Sequence, residues 1–207
     1  MTAPTVVIVD YGSGNLRSAE RALAQVGADV RMVTSADDAG SCDGVVVPGV
    51  GAFAACMAGV RASGADALVR SRLAADQPVL GICVGMQVLY DAGDEHGVHT
   101  DGVGVLSGRV ERLDADVLPH MGWNTVDAVA GSRLFAGVEE ERFYFVHSYG
   151  VLSSAHDGDD RATTATHGRS TFTAAVERGA LSATQFHPEK SGDAGLHLLE
   201  NWVRTLR

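Results

Sequence analysis

The sequence predicts an α/β fold: a largely parallel sheet flanked by helices, with an antiparallel extension. Two patterns carry that expectation. The first half alternates short β-branched runs with stretches of helical period, as βαβ crossovers do. The second half strings strand-like runs together with only short polar breaks, as antiparallel pairs do. At 207 residues the chain fits one domain, residues 1–207, with room for a substantial core.

Each element follows from its residues. Thr5-Val6-Val7-Ile8-Val9 is an unbroken apolar run, the signature of a strand covered on both faces. Residues 15–26 put Leu16, Ala19, Leu23 and Val26 on one face of a helix. Residues 29–33 and 44–47 are the next strands, the latter expected to stop at Pro48-Gly49. A helical stretch over 52–75 is broken near Ser63-Gly64 and leads into a fourth strand at 78–82 and a helix over 84–90. Strands are then expected at 103–112, 123–129, 143–152, 161–166, 172–176 and 181–186, with Glu177-Arg178-Gly179 as a hairpin turn. Residues 153–160 (SSAHDGDD) form a polar, acidic loop tip. The last helix, over 194–206, places Leu196, Leu199, Trp202, Val203 and Leu206 at helical spacing.

Composition narrows the function. With 45% hydrophobic and 20% charged residues the chain is of ordinary globular type, and its net charge of −10 argues against binding nucleic acid or an anionic membrane. The apolar run at 5–9 is too short to span a membrane and lacks the basic flank of a signal peptide. Three cysteines far apart (42, 56 and 83) make neither a disulfide framework nor a zinc pair, so a reducing, cytoplasmic setting is expected, with no metal and no cofactor.

The most informative run is Gly81-Ile82-Cys83-Val84-Gly85-Met86-Gln87. A strand-like stretch meets a helix-like one at a cysteine flanked by glycines, the thiol form of a nucleophile elbow. The helix aims free backbone N–H groups at the sulfur. The second run is Gln185-Phe186-His187-Pro188-Glu189-Lys190. Proline forces an extended His187, and with Pro188 extended too, His187 and Glu189 would share one side while Lys190 turns away toward the rim. A cysteine, a histidine base and an orienting carboxylate are the set that acyl transfer needs. Acyl transfer also needs donors for an oxyanion: Val84 N–H supplies one, and Pro48-Gly49-Val50-Gly51, one strand earlier, is a source for the other. His147-Ser148-Tyr149 reads as a pocket wall, Cys42 and Cys56 as inert core, and Glu95, His96 and His99 as solvated loop.

Taken together, GICVGMQ, PGVG and HPEK resemble the class I (triad) glutamine amidotransferases over essentially the whole chain. PHMGWN (119–124) and FYFVHSY (143–149) are closest to the glutaminase subunits of imidazole glycerol phosphate synthase in histidine biosynthesis. The resemblance implies a Cys83-His187-Glu189 triad that hydrolyses glutamine through a glutamyl thioester. It implies glutamine contacts from Gly51, Gln87, Ser148 and Tyr149, and a Gly49–Val50 peptide that withholds its N–H until activation. It further implies a heterodimer with a separate (β/α)8-barrel cyclase subunit, to which ammonia passes, with Asn15, Met121 and Trp123 expected at the interface. Lys190 is expected there on a feature of this chain alone: it is the only lysine among 16 basic residues and sits next to Glu189. A barrel alone takes about 250 residues, more than this chain has. Service to another synthase, such as anthranilate or carbamoyl phosphate synthase, and a non-catalytic regulatory role are the alternatives.

Overall fold

The computed structural model describes residues 2–153 and 160–206, so most of the acidic stretch at 153–160 lies outside the described residues. In chain order the elements are β1 (Thr5–Val9), α1 (Leu16–Gln25), β2 (Asp29–Val33), β3 (Gly44–Gly49), α2 (Phe53–Ala62), α3 (Ala65–Ala74), β4 (Val79–Cys83) and α4 (Val84–Gln87). There follow β5 (Tyr90–Glu95), β6 (Val98–Asp101), β7 (Leu106–Arg112), β8 (His120–Thr125), β9 (Arg142–His147) and β10 (Tyr149–Val151). The chain continues through β11 (Arg161–His167), β12 (Ser170–Arg178), β13 (Leu181–Thr184) and α5 (Gly192–Arg204).

A seven-stranded sheet runs β11-β12-β13-β4-β3-β1-β2. Its five strands from β13 to β2 pair in parallel, and β11 and β12 extend it antiparallel. The α/β expectation therefore holds, down to the antiparallel extension. Val6 to Val9 are fully buried, as strands covered on both faces must be. In α1 the buried residues are Ala19, Ala22 and Leu23, while Leu16 and Val26 are half-buried against the core. A smaller sheet, β10-β7-β5-β6, and the β8-β9 hairpin lie beyond this frame. No helix among the described residues is long and apolar enough to cross a membrane.

Several boundaries differ from expectation for identifiable reasons. β3 runs through Pro48 to Gly49, because its pairing with β1 ends at Val46 and only β4 flanks it beyond. A proline there has one open side on which no ladder bond is lost. The helix expected over 84–90 is the single turn α4. The carbonyls of Val88, Leu89 and Tyr90 instead accept from the N–H groups of residues 103–106, which opens the smaller sheet. The segment read as solvated loop is the β5-β6 hairpin, turning at His96-Gly97 with φ of 52° and 77°. Two consecutive positive φ values are what a two-residue turn between twisted strands requires. The 143–152 run is broken at Ser148 into β9 and β10, and the strand expected at 123–129 is β8, which starts at His120. Arg178 pairs with Leu181, so the hairpin turn is Gly179-Ala180 rather than 177–179.

Candidate active site

β4 ends on Cys83 at φ 56°, ψ −115°, a conformation that L side chains avoid. The packing around it explains how that strain is held. A Cβ on Gly85 would sit 1.8 Å from the Val47 carbonyl oxygen. A Cβ on Gly49 would meet the Tyr11 hydroxyl at 2.5 Å and the Gly85 nitrogen at 2.6 Å. The two glycines let β3 and the turn after Cys83 close on each other, and any side chain would wedge them apart. α4 is only four residues long and the Cys83 side chain makes no cap hydrogen bond to it, so the long helix dipole expected at the sulfur is not there.

The parallel register Thr184↔Ile82 brings the end of β13 beside the elbow. His187 is extended (φ −99°, ψ 96°), as the following proline requires. Pro188 is not extended, however: Pro188–Lys190 is a 3-10 turn, closed by the Lys190 and Ser191 N–H groups on the carbonyls of His187 and Pro188. Ser191 Oγ donates to His187 O at 2.6 Å and accepts from Tyr144 N–H at 3.0 Å, pinning the turn to β9. The tight turn still brings His187 Nδ1 within 2.7 Å of Glu189 Oε1, with both side chains almost wholly buried. Burial lowers the proton affinity of His187. The neighbouring Cys83 and the hydrogen-bonded Glu189, with their charges, more than offset this and raise its pKa to about 9.

Cys83, Val84 and His187 open onto a cavity of about 530 Å³ whose wall also includes Val50, Gly51, Gln87, Ser148 and Tyr149. Lys190, expected to turn away to the rim, lines the same cavity, because the 3-10 turn replaces strand alternation. Gln87 Nε2 donates to Tyr149 O at 2.8 Å and to Gln185 Oε1 at 2.9 Å, which leaves only its own carbonyl oxygen for a ligand. Sequence reading missed Glu95 and Arg112, which add one charge of each sign to the wall. Glu95 is fixed by the Phe53 N–H at 2.6 Å. The one local signal was Gly97, a turn-forming glycine just after it.

The second expected oxyanion donor is engaged elsewhere. Val50 N–H donates to Ser13 Oγ at 3.0 Å. The Val50 carbonyl accepts from the Ser13 hydroxyl at 2.5 Å and from the Cys56 thiol at 3.3 Å. Burial pushes the Cys56 thiol up, so it remains a donor. Cys56 is therefore not inert packing but part of this anchor, and Cys42 is half-buried 3.2 Å from the Arg72 guanidinium. Asn15 is exposed ahead of α1, and Met121 and Trp123 stand out from β8 at 62% and 48% exposure.

Residues 7–206 match the family model for class-I glutamine amidotransferases. Over 212 residues the chain is 59% identical to the imidazole glycerol phosphate synthase subunit HisH of Nocardia farcinica, covering 100% of both. It is 59% identical to the subunit of that name from Thermobifida fusca (98% and 99% covered) and 58% to that of Mycobacterium bovis (98% of each). Among solved structures, PurLQS from Thermotoga maritima superposes with a TM-score of 0.76 at 18% identity over 100% of both chains. A glutamine amidotransferase superposes at 0.68 and 19% identity over 97% of each. An elbow cysteine, a carboxylate-paired histidine beside it and this likeness over nearly every residue lead to one conclusion: the chain belongs to the class-I glutamine amidotransferases, in the family of the HisH subunits.

Proposed function

We propose that the chain hydrolyses the side-chain amide of glutamine and hands the ammonia to a separate (β/α)8-barrel cyclase subunit. The heterodimer would make imidazole glycerol phosphate and AICAR in histidine biosynthesis. The observation that carries this reading is the His187–Glu189 contact of 2.7 Å beside Cys83, at the base of a cavity with charges of both signs. The names of the relatives support the pathway and the partnership.

Glu189 holds the proton on His187 Nδ1, and Nε2, buried with no hydrogen-bond partner among the described residues, is the nitrogen left for exchange with the sulfur. The Cys83 sulfur attacks the amide carbon with its proton already on His187 Nε2, as the raised pKa of His187 requires at neutral pH. The tetrahedral oxyanion is held by Val84 N–H and, once released from Ser13, by the Gly49–Val50 peptide. Collapse breaks the C–N bond, His187 returns the proton to the leaving nitrogen, and ammonia departs from a glutamyl thioester. Water, deprotonated by His187, then cleaves the thioester to glutamate and restores the thiol. Glutamine is a zwitterion at its backbone end. Glu95 suits its ammonium and Arg112 its carboxylate, with Gly51, Ser148, Tyr149 and the Gln87 carbonyl around them.

Met121, Trp123, Asn15 and Lys190 form the face offered to the cyclase, for which the exposed apolar side chains on β8 are the main support. Residues 1–207 act as one glutaminase domain in a reducing cytoplasm, which keeps the Cys83 thiol available. The test is glutamate release with and without the cyclase subunit and its nucleotide ligand. Stimulation by both supports the assignment, and no glutamine turnover under any condition overturns it.

A further inference from the structure

We propose that Gln185 is a positioning residue for Cys83: its carboxamide N–H is presented to the nucleophilic sulfur in one orientation, set by a directional chain of hydrogen bonds that starts at the Tyr149 carbonyl. This rests on Cys83 being the nucleophile.

Gln185 is fully buried, and its Nε2 lies 3.8 Å from Cys83 Sγ, within range of an N–H donating to sulfur. An amide could in principle turn either end to the sulfur, so the question is what sets it. Tyr149 O is a backbone carbonyl and can only accept. The group facing it at 2.8 Å must then be the Gln87 NH2, which forces the second Gln87 N–H onto Gln185 at 2.9 Å. That contact must in turn be the Gln185 carbonyl oxygen, which leaves the Gln185 NH2 for the sulfur.

The same carbonyl sets the other branch. His147 Nδ1 lies 2.9 Å from Tyr149 O and must carry the proton, so neutral His147 accepts at Nε2 from His120 Nδ1 at 3.0 Å. His120 Nε2 then accepts from Asn124 Nδ2 at 3.2 Å, and Asn124 Nδ2 also donates to Thr166 O at 3.0 Å. Both imidazoles are held neutral. Burial takes His147 down to about 3 and His120 to about 4, the latter helped by His167 stacked on it at 4.2 Å. Donors and acceptors therefore match from β8 to the sulfur, with no amide or ring free to reverse. A donor fixed in this way stabilises negative charge on sulfur without reorganising when the charge appears.

The test uses the purified full chain with Gln185→Glu and Gln185→Met. Gln185→Glu keeps the oxygen that accepts from Gln87 and loses the donor, whereas Gln185→Met loses both at similar length. The readout is the rate of Cys83 alkylation by iodoacetamide across pH, followed by mass spectrometry, with kcat and KM for glutamine beside it. Alkylation at pH 7 is expected to fall roughly tenfold to a hundredfold, the range of a lost hydrogen bond to a charged group. The profile should move alkaline, so that higher pH rescues Gln185→Met, and kcat should fall while KM stays within about threefold. A packing defect would not be rescued by pH. If either variant fails to fold, Gln87→Met must move the alkylation profile the same way. Unchanged alkylation in folded variants overturns the donor role alone, and an effect confined to KM does so too. Wild-type glutamine turnover that survives Cys83→Ala overturns the nucleophile assignment, and the donor role with it.

Discussion

Ser13 holds Val50 by both ends of its backbone: the Val50 N–H donates to Ser13 Oγ at 3.0 Å, and the Ser13 hydroxyl donates back to the Val50 carbonyl at 2.5 Å. The N–H that an oxyanion would need is thus spent on a side chain. Ser13→Ala should loosen the peptide and raise glutamine turnover by the subunit alone, while shrinking its activation by the cyclase. One oxyanion donor is worth about 10²–10³ in rate, which sets the ceiling of the gain. Glutamate release with and without the cyclase measures it. An unaltered ratio of stimulated to basal rate would show that Ser13 restrains nothing.

Cys83→Ala should abolish glutamine-dependent synthesis by the complex and leave ammonia-dependent synthesis nearly intact. Loss of a triad nucleophile costs on the order of 10⁶ in the subtilisin example. Product formation from each nitrogen source is the measurement, and substantial glutamine use by the variant would remove Cys83 from the mechanism.

His187 gives a pH dependence of definite sign. Its pKa rises on folding from an ordinary 6.5 to about 9. Its contribution to stability is therefore complete below pH ~6.5 and lost as pH rises toward ~9. His120 and His147 act in the opposite sense, being depressed to about 4 and about 3. The stability they allow is present above pH ~6.5 and lost as pH falls through those values. Urea midpoints across pH should decline on both flanks. Glu189→Gln should flatten the alkaline flank and His120→Gln the acid one, and an unaltered alkaline slope in Glu189→Gln would count against the pairing.

Gly85→Ala tests the elbow's packing. Its new Cβ would meet a backbone carbonyl at 1.8 Å, which no rotamer can relieve. Destabilisation at or above the upper end of the overpacking range, about 3 kcal/mol, is expected from chemical denaturation. A change under about 0.5 kcal/mol would mean that β3 and the elbow are not in such close contact.

Lys190 is the single lysine among 16 basic residues and lines the cavity near His187. Lys190→Ala should leave glutamine hydrolysis measurable and lower its coupling to product formation or its activation by the cyclase. Unchanged stoichiometry, activation and affinity would make it an ordinary surface charge.

The parallel strands and the Cys83 and His187 runs were legible because each is a local pattern: apolar runs of fixed length, glycines around a cysteine, a proline after a histidine. What was not legible depends on partners far along the chain. Helix α4 stops after one turn because residues 103–106 claim the next carbonyls. Glu95 reaches the cavity only because His96-Gly97 folds β6 back on β5. Cys56 gains its role from Ser13 and Val50, 43 and 6 residues away. Lys190 lines the cavity because a 3-10 turn, set by Ser191 and β9, replaces the alternation that a strand would impose.

The register that seats β13 against β4 also sets a time. Cys83 emerges early in synthesis, whereas His187 and Glu189 come about a hundred residues later and reach the sulfur only when Leu181 pairs with Val79. Until then a nascent chain carries a thiol with no base beside it. On the proposed mechanism an unfinished chain cannot yet hydrolyse glutamine, because docking of the last strand of the sheet is needed before any base stands beside the thiol.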